Sequence, residues 1–209
     1  MMILKADLSR RLSFIAPALC VAVLLGGCVV DQVASGPGRV ISPESGSPTN
    51  IASLTEVVNA NPNDASAYNM RGTAYGRAGK HKQALDDFNQ AITINPSYYQ
   101  AYANRALVHR RMDNLDGALS DYSSAIRINP TYETALVGRG NLYRQKGERE
   151  RALTDFNAAI SANSGDPRAY HNRALIYQSQ NLHSFAVEDF GIAIGLDPNA
   201  PEPYNGRGV

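Results

Sequence analysis

An all-α superhelical solenoid of stacked helix pairs, following a signal peptide and a flexible linker, is the fold class predicted by three observations. Five times, at a spacing of 34 residues, the chain writes an aromatic residue or Leu, then Arg, then Gly or Ala. The runs start at Tyr68, Tyr102, Leu136, Tyr170 and Tyr204, and their arginines are Arg71, Arg105, Arg139, Arg173 and Arg207. A fixed period of this size marks similar helical units, each packed only on its neighbours. Within each period, small and aromatic residues recur at fixed positions, and no segment carries the signals of a strand.

The first element, residues 1–27, reads as an export signal. Lys5, Arg10 and Arg11 precede a mostly apolar run of 16 residues from Leu12 to Gly27. That run is short of the roughly 20 residues a bilayer-spanning helix needs. It ends in Leu25-Gly26-Gly27-Cys28, which resembles the bacterial lipoprotein lipobox. The resemblance implies that Cys28 becomes the first mature residue and carries lipid, including palmitate. A multi-chain lipid anchors stably where a single chain would not. An ordinary signal peptide with a chance cysteine is the alternative. Val29 and Val30 follow, with no Asp directly after Cys28. In the familiar sorting rule this favours the outer membrane, with the protein facing the periplasm.

Removal of residues 1–27 takes away Lys5, Arg10, Arg11 and Asp7, so the formal charge moves from +1 to −1. Such a balance gives no field to hold nucleic acid. Cys20 would leave with the signal and Cys28 would be lipidated, so the mature chain could form no internal disulfide. Residues 28–48 are rich in Gly, Ser and Pro and cannot bury enough apolar surface to order themselves. They read as a tether; about 20 residues of flexible coil span roughly 25 Å.

Residues 49–64 read as a capping half-repeat, with Leu54 and Val57 at its core positions and Pro62 at its end. Four full units follow, at 65–98, 99–132, 133–166 and 167–200. Position 8 is Gly72, Ala106, Gly140 and Ala174; position 20 is Ala84, Ala118, Ala152 and Ala186. Position 24 is Phe88, Tyr122, Phe156 and Phe190; position 27 is Ala91, Ala125, Ala159 and Ala193. Small residues let two helices approach while aromatics fill the remaining space. Position 32 is Pro96, Pro130 and Pro198, each ending a second helix, but Ser164 in the third unit, where a looser turn is expected. Position 15 is Gly79, Asp113, Gly147 and Asn181, residue types that tolerate a left-handed backbone. Helices of about 13 residues are marginal alone in water, so packing must hold them. Residues 201–209 open a fifth repeat and stop, an end expected of a fragment or of a chain covered by a partner, with dimerisation one outcome.

From residue 65 to residue 198 this pattern closely resembles the tetratricopeptide repeat (TPR). Position 7 departs from it, being Arg where Leu is usual, and position 23 is Asp87, Asp121, Asp155 and Asp189. Folding the chain at the turn between units, near position 32, sets position 23 beside the Arg of the next unit. The expected pairs are Asp87–Arg105, Asp121–Arg139, Asp155–Arg173 and Asp189–Arg207, leaving Arg71 opposite Ser53. Guanidinium suits bidentate carboxylate pairing. A structural ladder is therefore expected ahead of a ligand-binding row of arginines.

Nothing in the sequence points to catalysis or a cofactor. His81, His109, His171 and His183 lack metal-site spacing, and His109 falls on an aromatic core position. There is no phosphate loop, no nucleophile elbow and no acid/base dyad outside the repeating carboxylates. The resemblance implies instead a concave groove lined by the first helix of each unit. Its candidate binding residues are Asn69, Thr73, Asn104, Arg110, Arg111, Asn141, Arg144, His171 and Asn172, with Arg168 beside them. Amides can hold an extended peptide backbone, and Arg110, Arg111 and Arg144 could take a carboxylate. A merely solvated helix face is the alternative. The chaperone-type carboxylate clamp of the family does not fit, because Thr134 and Gly138 stand where its Lys and Arg belong.

Lipobox plus repeats resemble the NlpI-type TPR lipoproteins, which bring a periplasmic protease together with cell-wall hydrolases. The resemblance implies a non-catalytic, membrane-anchored adaptor with protein or peptide partners in the envelope, no nucleic acid and no small-molecule substrate. The TPR region of a truncated enzyme such as a glycosyltransferase, or an assembly factor for a pilus or outer-membrane machine, are the alternatives.

Overall fold

The computed structural model describes residues 46–199. The expectations for the export signal, Cys28, the tether up to residue 45 and residues 201–209, including Arg207, lie outside the described residues. The last tether residues are corrected, since Ser47 caps α1 and Pro48 is its first residue. Nine α-helices and no strand are present among the described residues. They are α1 (Pro48–Ala60), α2 (Ala65–Arg77), α3 (His81–Ile94), α4 (Tyr99–Arg111) and α5 (Leu115–Ile128), then α6 (Glu133–Gln145), α7 (Arg149–Ala162), α8 (Pro167–Ser179) and α9 (His183–Leu196). None is long and apolar enough to cross a membrane.

Local chemistry sets the helix ends. Ser47 and Asp166 cap α1 and α8, each followed by a proline at the first helical position, where its missing N–H is no loss. Asp64 caps α2 and Asn114 caps α5. Each hairpin turns through one left-handed residue: Gly79 (φ 73°), Asp113 (φ 59°), Gly147 (φ 78°) and Asn181 (φ 59°). Glycine has no Cβ to clash there, and Asn and Asp tolerate the conformation better than other residues. At the turn through Ser164 the Asp166 N–H reaches the Asn163 carbonyl at 3.4 Å. This is longer than the 3.0 and 3.2 Å of the matching bonds at Tyr98 and Tyr132, in line with a looser turn, and side-chain bonds brace it. Gly165 N–H donates to Asn163 Oδ1 at 2.9 Å, and the buried Asp166 accepts from Arg168 N–H at 2.9 Å.

The helices pack in sequence order, α2 on α3, α4 on α5, α6 on α7 and α8 on α9, with each pair laid against the next. The first helices also touch one another along the stack, α2 to α4 to α6 to α8, whereas no two second helices do among the described residues. The stack therefore bends toward its first helices, and they form the inner, concave face. The interior is a series of linked clusters. One joins Ala103, Ala106, Ala118, Tyr122 and Ala125 of one pair to Ala135 and Leu142 of the next. Phe88 and Phe156 press against Gly72 and Gly140, where a Cβ would come within 2.9 and 2.7 Å of the ring. The N-terminal helix differs from expectation in one register step: Ile51 and Val58 are buried, Leu54 is half-buried and Val57 is exposed.

Candidate functional site: the inner face and the ladder beneath it

The arginine ladder forms within each helix pair, not between pairs. Arg71 donates from Nε and Nη2 to the two carboxylate oxygens of Asp87, both at 2.8 Å. Arg105 grips Asp121 at 2.8 and 2.6 Å, Arg139 grips Asp155 at 2.9 and 2.8 Å, and Arg173 grips Asp189 at 2.7 and 2.8 Å. The expected partners, Arg105 for Asp87 and the rest of that series, are corrected accordingly, and Arg71 is paired after all. The reason is geometric. Each partner pair is 16 residues apart, with the left-handed residue at its midpoint. The chain folds back at that residue, so positions equidistant from it face each other across the hairpin.

Contact with the preceding pair does exist, through a different residue. The remaining guanidinium nitrogen, Nη1, of Arg105 donates to Asn89 Oδ1 at 2.6 Å, that of Arg139 to Ser123 Oγ at 3.2 Å, and that of Arg173 to Asn157 Oδ1 at 2.7 Å. The cations also lie over the aromatic rings of their own helices: Arg71 over Tyr68 and Tyr75, Arg173 over Tyr170 and Tyr177. Tyrosine faces attract cations, so the ring pair adds to the carboxylate grip. Hydrogen bonding to Asp121 holds the Arg105 guanidinium above its ordinary pKa, against the opposing effect of burial. These four arginines are occupied by structure and are not a ligand row.

The candidate groove residues separate into three groups. Asn69, Thr73 and Asn104 bond one another: Asn104 Nδ2 donates to Asn69 Oδ1 at 2.9 Å and lies 3.5 Å from Thr73 Oγ1. Asn69 Nδ2 reaches the Tyr98 hydroxyl at 3.4 Å. This network ties α2 to α4. Arg111 does the same by donating to the Gly76 carbonyl at 3.0 Å. In the second group, Asn172 Nδ2 donates to the Arg168 carbonyl of its own helix, and His171 leans on the Phe190 ring at 5.5 Å.

The third group lacks such contacts among the described residues. Arg110 and Arg144 are exposed and form no ion pair among the described residues. Asn141 Oδ1 is buried with no hydrogen-bond partner among them. Sequence reasoning missed a further member, the Tyr122 hydroxyl, also buried without a partner. Tyr122 is fully buried on α5, and its ring tip passes under Gly138 of α6, where a Cβ would lie 2.4 Å from Cζ and 2.8 Å from the hydroxyl. Burial pushes this hydroxyl above its ordinary pKa, with the charges of Arg110 and Arg168 pulling it back. Arg168 itself is bidentate on Asp166, at 3.0 and 2.8 Å. The signal for Tyr122 in the sequence was the coincidence of the one Tyr at position 24 with a Gly at position 6 of the next unit.

Tetratricopeptide repeat models match residues 65–98 and 99–132, and a TPR repeat model matches 140–181. No curated protein matches the chain. Among solved structures, MamA is 24% identical with a TM-score of 0.62, the alignment covering 71% of this chain and 87% of that one. TTC0263, a thermophilic TPR protein in Thermus thermophilus, is 20% identical over 76% of this chain and 87% of its own, at a TM-score of 0.63. YrrB, described as a TPR protein with an unusual peptide-binding site, is 20% identical over 77% and 83%, at 0.61. At such identities the likeness shows the fold.

Proposed function

The tetratricopeptide repeat models together match more than half of the chain, which therefore belongs to that family, and from this premise we propose a membrane-anchored scaffold. In this reading the chain holds proteins or extended peptides of the bacterial envelope on its inner face and catalyses no reaction. The fold suits protein and peptide binding, as the peptide-binding site described for the similar YrrB illustrates. The observation that carries the reading is that Arg110 and Arg144 of the first helices are exposed without an ion pair among the described residues, and Asn141 on α6 has an unpartnered amide oxygen, while Asn69, Asn104 and Arg111 are already satisfied. Lipidation at Cys28 would hold this face near the outer membrane on the periplasmic side.

Two experiments test it. Labelled palmitate enters the wild type and is lost in Cys28→Ala; no label in either removes the anchor. Crosslinking and pull-down from the envelope compares the wild type with Arg110→Ala/Asn141→Ala/Arg144→Ala. Loss of the captured proteins from the variant supports the inner face, and an unchanged set moves binding elsewhere.

A further inference from the structure

We infer that the rim of the stack formed by the hairpin turns is a docking surface for anionic phospholipid headgroups, held against the bilayer because the chain enters the stack at that same rim. The inference rests on the lipid anchor proposed at Cys28 and adds an orientation to it.

Charge is sorted along the helix axes. The hairpin rim comprises the end of each first helix, the left-handed turn and the start of each second helix, at 76–83, 110–117, 144–151 and 178–185. Residues 46–199 carry 15 Lys and Arg against 15 Asp and Glu, yet the first three of these segments hold nine of the former and four of the latter, and the fourth holds neither. Every Lys among the described residues is there: Lys80, Lys82 and Lys146. At the opposite rim, where one unit joins the next, Asp64, Glu133, Asp166 and Asp197 outnumber Arg127 and Arg168. Acidic neighbours on the hairpin rim do not cancel the surplus. Asp116 takes Lys146 at 3.3 Å and Glu148 takes Arg151 at 2.6 Å, while Lys82 and Arg149 are exposed and form no ion pair among the described residues. Cations of adjacent units stand together. Arg111 donates to the carbonyl of Gly76, next to Arg77, whose guanidinium is held below its ordinary pKa by burial and then by the charge of Arg111. Like charges so held repel one another, and an anionic surface relieves that repulsion.

The entry point of the chain is an independent observation. Gly46, the first described residue, lies against the end of α2, where a Cβ on it would come within 3.1 Å of Arg77 Cβ and of the Ala78 nitrogen. Cys28 lies 18 residues earlier, so a lipid there stays within about 65 Å of this rim even on a fully extended chain. Helices of 13 and 14 residues set the opposite rim about 20 Å farther away. An anchored chain therefore offers its basic end to the headgroups first. Each basic residue near an anionic surface adds about five-fold to attachment, so a basic patch strengthens and orients what a lipid begins. The helix axes then stand upright on the bilayer, and the inner face opens sideways, clear of lipid.

The test uses the processed chain purified from the envelope, with a fluorophore on Gln83→Cys at the basic rim or on Ser97→Cys at the opposite rim, both exposed positions. A lipidated Cys28 leaves the new thiol as the only one to label. Vesicles carry a nitroxide quencher on their headgroups and are phosphatidylcholine, alone or with one part in three of phosphatidylglycerol. With phosphatidylglycerol the label at position 83 is quenched well beyond the label at position 97; without it, or in high salt, the two converge. Lys82→Gln/Arg149→Gln shifts chains from docked to undocked about 25-fold at an unchanged melting temperature. Equal quenching at both positions in anionic vesicles overturns the rim, as does a preference for position 83 that survives phosphatidylcholine, high salt or the double substitution. Quenching at neither position, the result for a rim that docks an acidic protein instead, overturns it too. Intact mass separates these results from the anchor. A chain without lipid on Cys28 refutes the anchor, and the rim is then judged by cosedimentation of that chain with the same vesicles. Sedimentation with the anionic vesicles alone supports the rim; sedimentation with both kinds or with neither overturns it.

Discussion

Arg139 holds Asp155 of its own hairpin with two hydrogen bonds, at 2.9 and 2.8 Å, and keeps its third nitrogen for Ser123 of the preceding pair. One guanidinium thus fixes both the closure of a hairpin and its register on its neighbour. The carboxylates of this ladder are almost fully buried, with side-chain exposures of 4–7%. Buried pairs add little over an apolar replacement, yet removing one partner strands the other. Asp121→Ala should therefore cost about 3–5 kcal/mol. Asp86→Ala, on the exposed side of α3, should stay within about 0.5 kcal/mol. Thermal melts of both variants check this, and equal shifts would contradict it.

Close packing at Gly138 predicts a second contrast. An added Cβ would meet the Tyr122 ring at 2.4 Å, and the ring is walled in by the core. Gly138→Ala should destabilise by about 1–3 kcal/mol through overpacking. Gly195 near the end of α9 has nothing within 4 Å of such a Cβ. Gly195→Ala should stabilise by about 0.5–1 kcal/mol through helix propensity. Denaturant titrations that show the same sign at both sites would refute the packing argument.

Alkaline pH should expose the buried hydroxyl. Burial holds Tyr122 above its ordinary value of 10.0, with Arg110 and Arg168 opposing, and burial raises Tyr132 too. A raised folded-state pKa means the folded chain keeps the proton longer than the unfolded chain does. Stability is then intact below about pH 10 and falls as pH rises toward the folded-state value. Tyr122→Phe should flatten this alkaline loss, read from urea midpoints across the range. A variant whose stability falls as steeply as the wild type's would contradict the assignment.

The hairpin turns give a fourth expectation. Gly147 sits at φ 78° with open space around it, so a substitution there meets backbone strain alone. Gly147→Ala should cost about 1–2 kcal/mol, the penalty for a left-handed residue with a Cβ. Asp113→Gly should be tolerated. A neutral Gly147→Ala would mean the turn can relax out of the left-handed region.

Much of the fold was legible because the repeat writes the same packing problem several times. Alanine at positions 20 and 27 recurs in every full unit, and all eight of these residues are buried. The ladder was harder. Both members were visible as Arg and Asp, but their pairing depends on which turn the chain folds about. Gly79, Asp113, Gly147 and Asn181 carried that answer, since each lies midway between the two members. The groove was legible as a set of positions but not as a set of free groups. Whether Asn104 faces a ligand or bonds Asn69 is decided by the neighbouring repeat, at a distance no local pattern encodes. Tyr122 and Asp166 were missed for the same reason, because burial of a polar side chain is a property of the assembled stack.

The inner face is the proposed place where other proteins are held. Its most direct test places a photo-crosslinking amino acid at Arg110 or Arg144 on the first helices and, separately, at Gln90 or Ser120 on the exposed side of the second helices. In intact cells, discrete crosslinked partners should form from the first two positions and not from the other two. Partners captured from Gln90 or Ser120 alone would contradict the account.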